Sequence, residues 1–465
     1  MEENIEKNKS FSFGCIEATR KYAKKLGFDT IFNRFKKKGD KLSNLVNVLV
    51  THKMHFSKSI NDASDWLNEP HIRQEFNLNE NVPKTFYRTL DTLGCHEKSI
   101  LTLLQNRILE LYPLKNTDSN MDWSSIVLYG SKAELGEYGY SRDHRPDKKQ
   151  ITFGVSQFRS PINIPFALSI EKGNVPDKIH FEKTFKRTVK ALNPESLIIV
   201  DRGANTKNVK SLIRSYKHHY LCAASLSSKN DLGIKSFEKT LIVEEKDGKK
   251  IWCQKSKDGE EYSYLFLSEK LYEDMMNRKR RHASKAALEG ARLEQKLTSG
   301  RKQKAKKTNL LSFIAEVKVN LQKKLSKLST GELAEQIFRD GINGREGYFL
   351  LKSSKNLTEV EALAYYRSRD TIEKLIDSLK NTIRIKPVRV WTDNAIKGAI
   401  IIGFLAQVIL ALMQYDNEQL RKMRPKTLLN SLRNLTLILR FEDEFKICRI
   451  LSNIDLINRC VFEIY

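Results

Sequence analysis

Four side chains spaced as Tyr366-x2-Arg369-x3-Glu373-x6-Lys380 carry the most specific chemistry in the sequence. At 3.6 residues per turn, offsets of 7 and 14 residues fall about 20° and 40° from the first, and an offset of 3 about 60° away. One continuous helix from Thr358 to about Lys380 would then show a ring, two cations and a carboxylate on a single face. A carboxylate flanked by cations suits a metal-bound phosphate: the acid binds Mg²⁺ and the cations bind phosphate oxygens. Taken alone, the same pattern describes an exposed helix with surface ion pairs. Two further acids stand in suggestive places. Asp201 ends the apolar run Ser196–Val200 and precedes Arg202-Gly203. A buried strand ending in a carboxylate places a metal ligand at a sheet edge, whereas an Asp before Gly can also simply start a turn. Asp122 opens the strand-like run Met121–Tyr129. Asp is depleted in strands, so it is there either for a function or as a cap at the end of a loop.

The elements around these residues read as several domains, or one large domain with insertions. At about 150 residues per domain, a chain of 465 residues has room for two to four. Hydrophobic residues make up 40%, enough for a core, which excludes wholesale disorder. The net charge of +26 points to a polyanionic partner, nucleic acid before an anionic membrane. The start, MEENIEKNKS, has no apolar segment of the signal-peptide kind. The longest apolar stretch, Gly398–Met413, is interrupted by Gln407 and falls short of the roughly 18–20 residues that span a bilayer; a buried helix is expected, with no membrane partner. The six cysteines are scattered without a Cys-x-x-Cys pair, which fits a reducing cytoplasm better than a disulfide framework or a zinc finger. No phosphate-binding glycine loop followed by Lys-Ser/Thr occurs, so no nucleotide cofactor is expected.

Residues 10 to about 112 have helical periodicity, and Pro83 suits the first turn of a helix. Thr85, Tyr87 and Arg88 on that turn are the residue types a recognition helix offers to a major groove, or an ordinary amphipathic helix to solvent. From Met121 the period becomes strand-like: Met121–Tyr129, then Lys149–Phe158 and Pro161–Ile170 joined by Arg159-Ser160. A helix capped by Asp177 and running to about Leu192, the strand before Asp201, a helix over about 205–215 and a strand over 219–224 follow. That order predicts a mixed α/β sheet. Short β-like runs follow at Thr240–Glu244, Lys250–Gln254 and Tyr262–Leu267. Arg278–Lys307 then holds 12 Lys or Arg against 2 Glu, a solvated arm or a phosphate-binding segment. Leu428, Leu432, Leu435 and Leu439 extend helical spacing into the tail.

The chain resembles the insertion-sequence DDE transposases with the Tyr-Arg-Glu-Lys signature, whose catalytic core is RNase H-like. The resemblance runs through Asp122-Trp-Ser-Ser, Gly139-Tyr-Ser-Arg-Asp-His-Arg-Pro-Asp-Lys-Lys-Gln150, Gly173-Asn-Val-Pro-Asp177 and Val200-Asp-Arg-Gly203. It continues through Gly347-Tyr-Phe-Leu-Leu, the signature itself, Ile385-Lys-Pro-Val388 and the apolar helix after Trp391. These blocks span roughly residues 115–415; Ile376 departs from the aromatic residue the family often carries. The resemblance implies that Asp122, Asp201 and Glu373 bind two Mg²⁺ ions, with Mn²⁺ as a substitute. It implies that Tyr366, Arg369 and Lys380 hold DNA near the cut, with Arg202 beside them. Arg142, His144, Lys148 and Lys149 read as contacts to end DNA, or as a solvated loop. The acids are separated by 79 and 172 residues (201−122 and 373−201), and the longer gap implies an insertion.

The expected class is therefore α/β (α+β). It comprises a helical DNA-binding region at 1–114, an RNase H-like core at 115–224 and 346–415, a β-rich basic insertion at 225–345 and a helical tail at 416–465. The implied protein is a cytoplasmic, nucleoid-associated enzyme that cuts and joins double-stranded DNA, as a homodimer when two ends are held together. Two alternatives stay open: a catalytically silent DNA-binding protein of the same descent, and another RNase H-like nuclease that cuts without joining.

Overall fold

In the computed structural model the described residues are 8–56, 58–80, 82–130, 132–159, 163–227, 231–298, 329–441 and 447–463. They form two compact units, 1–222 with 364–465, and 223–363.

The first unit is built on a mixed sheet. Its strands, after β1 (Lys9–Ser12), are β2 (Ser119–Val127), β3 (Gln150–Phe158), β4 (Pro165–Lys172), β5 (Leu197–Val200) and β6 (His219–Ala224), in the order β4-β3-β2-β5-β6. The first three pair antiparallel, and β5 and β6 add in parallel. All of β3 and almost all of β2 is buried, as in sheets covered on both faces. Side chains alternate across the sheet. Met121 and Trp123 of β2 pack against Phe181 and Phe185 of the Asp177–Thr188 helix, so Asn120, Asp122 and Ser124 point to the other face. Asp122 lies in the middle of β2, not at its start.

The 24-residue helix Asp393–Asp416 is the centre of the larger core. It is longer than the apolar stretch read from the sequence and, contrary to that reading, long and apolar enough to cross a bilayer, yet 89% of its most apolar window is covered by protein, as expected for a buried helix. It crosses the Pro83–Cys95 helix where Gly94 and Gly398 let the two backbones meet.

Two further expectations need correction. Asp177 does not cap its helix: it is the first helical residue, and its carboxylate is taken by Arg142. The tail is not one helix. Leu428 and Leu432 lie on the Pro425–Asn434 helix, but Leu435 follows it and Leu439 lies on β11 (Thr436–Phe441). That strand sits between β1 and β12 (Ile447–Ser452), so a short N-terminal strand missed by periodicity ties the two ends of the chain together. The Arg159-Ser160 link falls partly outside the described residues.

In the second unit, β7 (Thr240–Glu244), β8 (Lys250–Asp258), β9 (Glu261–Ser268) and β10 (Tyr348–Ser353) pair antiparallel in the order β10-β9-β8-β7. The helices Glu269–Thr298 and Thr330–Asp340 belong to the same unit, the latter with a Ser329–Glu332 capping box. The basic segment begins on the first of these helices, with Ala283, Ala286 and Ala287 buried and Arg278, Arg281 and Lys285 exposed. Its remainder, 299–307, lies outside the described residues.

Candidate functional site

The predicted helix over Thr358–Lys380 is interrupted. One helix ends at Arg367, a second runs Asp370–Asp377, and a π-helical turn, Ser378–Thr382, follows. The cause lies in the sheet beneath. The Asn120 side-chain amide donates to the Ser368 carbonyl at 3.1 Å and reaches Thr371 Oγ1 at 3.3 Å, and the Thr371 hydroxyl also donates to the Ser368 carbonyl. Gln157 of β3 donates to the same threonine. The Ser368 carbonyl is thus held by side chains, and the next backbone bonds tighten to three-residue spans, Arg369 N to Tyr366 O and Thr371 N to Ser368 O. Arg159, just beyond β3, lies over Tyr365, 4.0 Å from ring centroid to guanidinium, and adds a second hold on the first helix.

The break brings Arg369 over three acids. Its guanidinium lies 3.7 Å from Asp122, 3.3 Å from Asp201 and 3.6 Å from Glu373. The parallel register explains the first two. Asn120 pairs with Ile199, and Asp122 and Asp201, each two residues further on, both come within reach of the one guanidinium. Arg369 is buried, while Asp201 and Glu373 are about half exposed. Burial pushes the Asp122 carboxyl up to about 6, against the opposing pull of Arg369 and Arg142. Tyr366 is half-buried with the Arg369 guanidinium 5.7 Å from its ring centroid; burial raises its pKa.

Lys380 is inside the protein. From the π-helical turn its ammonium donates to Ser124 Oγ at 3.1 Å and to Asp143 Oδ1 at 3.0 Å, and Lys386 reaches the same carboxylate at 3.1 Å. Burial lowers the Lys380 pKa. Burial alone would raise that of Asp143, but the two lysines outweigh it and hold the carboxyl below its ordinary value. Alternate residues of β2 therefore each grip one piece of the broken helix: Asn120 its turn, Asp122 its arginine, Ser124 its lysine. Asn120, Ser124 and Asp143 are the residues that sequence reasoning missed. The signal for the first two was the two-residue period about Asp122, and for Asp143 its place between Arg142 and His144.

The structure does not bring the remaining expected residues to the acids as a group. Arg142 is half-buried on Asp177, with its backbone N–H on Ser125 Oγ at 3.0 Å. His144 and Arg202 are exposed, and Lys148 and Lys149 half-exposed. On the Pro83–Cys95 helix Tyr87 packs against the core, Thr85 is half-buried and Arg88 is exposed.

The donor set is three hard carboxylate oxygens facing one cationic position, the chemistry that Mg²⁺ accepts. Among the described residues no three Asp, Glu, His or Cys side chains lie close enough to hold a metal ion as they stand; the guanidinium is what gathers them. Arg369→Met should therefore lower stability by about 1–3 kcal/mol, between the values for exposed and buried pairs, because two of the acids face water. Thermal melts with and without millimolar Mg²⁺ check this: the cation should raise the midpoint of the variant more than that of the wild type. Equal shifts would show that the acids do not share a cation.

No protein-family model matches the chain, and no curated protein matches it. Among solved structures it is similar to the cryo-EM structure of a piggyBac transposase synaptic complex with hairpin DNA. The TM-score is 0.42 at 12% identity, over 86% of this chain and 71% of that one.

Proposed function

We propose that the chain is a DDE-type DNA transposase that cuts double-stranded DNA at the ends of an insertion sequence and joins the freed 3′ ends to a target. The observation that carries this reading is the meeting of Asp122, Asp201 and Glu373, 79 and 172 residues apart (201−122 and 373−201), around Arg369. The mixed sheet, three antiparallel strands followed by two parallel ones, supports the RNase H-like part of it. Asp122, Asp201 and Glu373 would hold Mg²⁺ or Mn²⁺, which when bound supplies charge stabilisation and an activated water or 3′-hydroxyl. Arg369, released from the acids, would bind a phosphate oxygen, and Tyr366 offers a ring beside it. Lys380 acts through Asp143, fixing the loop that carries Arg142. A dimer holding two ends, acting in the cytoplasm on the nucleoid, completes the proposal.

A silent DNA-binding protein is the second reading, favoured by the absence of a ready-made three-acid metal cage among the described residues. Incubating the protein with DNA carrying the ends that flank its gene separates the two. The transposase nicks them when Mg²⁺ is present; binding without nicking would favour the silent protein.

The exposed cations of the basic segment should add to DNA affinity. Replacing Arg278, Arg281 and Lys285 with Gln is expected to weaken binding and flatten the plot of log affinity against log salt by up to about 2–3, at about 0.9 per phosphate contact. An unchanged slope would remove this helix from the interface.

A further inference from the structure

We propose that the segment 128–149, with Trp391 beside it, is a stacking platform for unpaired nucleotides of a DNA strand leaving the carboxylate site; this rests on the DNA-processing reading above. Six large aromatic side chains are strongly exposed among the described residues, and four of them lie here: Tyr140 at 83%, Tyr129 at 64%, Trp391 at 63% and Tyr138 at 59%. Single exposed rings need no explanation, whereas a group of them marks a surface that something covers.

The described residues of the platform are tied to the fold at several points. Leu128 bridges to Val388 and Glu137 to Gln150. The Leu135 N–H donates to Asp393 at 3.1 Å, at the start of the long core helix. Gly130 lies so close to Trp391 that a Cβ there would be 3.1 Å from the indole, so the ring rests on backbone with Lys132 5.9 Å from its centroid. The platform is also joined to the site. Tyr140 is two residues from Arg142, and the next residue, Asp143, holds Lys380 beside Ser124, two residues along β2 from Asp122.

Charge decides what kind of nucleic acid fits. Segment 128–149 has five Lys or Arg against four Asp or Glu, and Arg145 is already paired with Asp147. A surface that tracks duplex phosphates needs a larger positive excess. Exposed rings with a few cations at the rim instead suit bases, whose faces stack on aromatic side chains whatever the sequence. Strand cutting and joining at the carboxylates would expose such unpaired nucleotides.

The test compares the full-length wild type, Tyr140→Ala/Trp391→Ala and Tyr140→Phe/Trp391→Phe. Each is titrated into a labelled oligothymidylate and into a blunt duplex of equal length. The alanine pair should lose about tenfold or more in affinity for the single strand. Its duplex affinity and melting temperature should stay unchanged, and the phenylalanine pair should bind like wild type. Equal losses on both probes would make the patch a general phosphate surface and overturn the proposal. So would unchanged single-strand affinity, including the case where light scattering shows the alanine pair dissociating a dimer, which would make the patch a protein interface. Wild type binding neither probe would overturn the DNA reading and the platform together. Binding of both probes by wild type and the alanine pair alike would overturn the platform alone.

Discussion

Asp122→Asn is expected to abolish DNA cleavage while raising the stability of the protein near neutral pH. The carboxyl sits in the middle of a buried strand, and burial raises its pKa from 3.8 to about 6. The sign follows from linkage. The folded protein takes up this proton near pH 6, while the unfolded chain waits until about its ordinary 3.8. The group's favourable contribution is full below 3.8 and lost as pH rises through about 6. At pH 7.5 an ionised Asp122 is therefore a cost, which the neutral amide removes. Part of the gain is forfeited because Arg369 loses one of its three partners, leaving about 1–2 kcal/mol of net stabilisation. Cleavage should fall about 10³-fold or more, equivalent to about 4 kcal/mol of barrier, because an amide cannot supply the anionic oxygen a divalent cation needs. Asp201→Asn and Glu373→Gln should lose as much activity without the gain in stability, since both are half exposed. DNA binding, followed by fluorescence anisotropy, should survive in all three. A variant that cuts at the wild-type rate would remove its residue from the ligand set.

Gly398→Val should destabilise the protein by about 3 kcal/mol, read from the urea midpoint. Glycine within a helix costs about 1 kcal/mol relative to alanine, so two facing glycines at one crossing call for a packing reason. A Cβ on Gly398 would lie 2.1 Å from the Leu90 carbonyl oxygen, and one on Gly94 1.9 Å from that of Asn394. Both obstacles are backbone, which cannot swing aside as a side chain can. Either substitution must push the Pro83–Cys95 helix off the Asp393–Asp416 helix and open the main core. Gly94→Ala should do the same, and the pair should cost less than the sum, because the second clash is relieved once the first has separated the helices. A change within 0.5 kcal/mol would mean that the crossing is looser than these distances imply.

The candidate site was legible where chemistry contradicts local preference. An Asp in a strand, an Asp closing an Ile-Ile-Val run and a carboxylate at helical spacing from two cations each needed a reason, and the three acids do converge. What the sequence did not reveal is how they are held together. Helical periodicity runs smoothly through Tyr366–Lys380, and nothing local says that the Ser368 carbonyl will be taken by Asn120, 248 residues away. Competition of that kind depends on tertiary contact. The burial of Lys380 has the same origin, since its partners Ser124 and Asp143 come from another strand and its loop. The strands at the chain ends were missed because β1 is four residues long and pairs only with β11, far away in sequence. The sheet strands and the apolar core helix were legible because their runs are apolar: β5 is as short as β1, but it is an unbroken Leu-Ile-Ile-Val run, whereas β1 reads Lys-Ser-Phe-Ser.

The most direct test of the central claim is a strand-transfer assay with Mg²⁺ on DNA bearing the ends that flank this gene, comparing wild type with Glu373→Gln. Nicking and joined products from the wild type, with neither from Glu373→Gln, are the predicted result. Equal joining by both proteins, or binding by the wild type without any cutting, would contradict it.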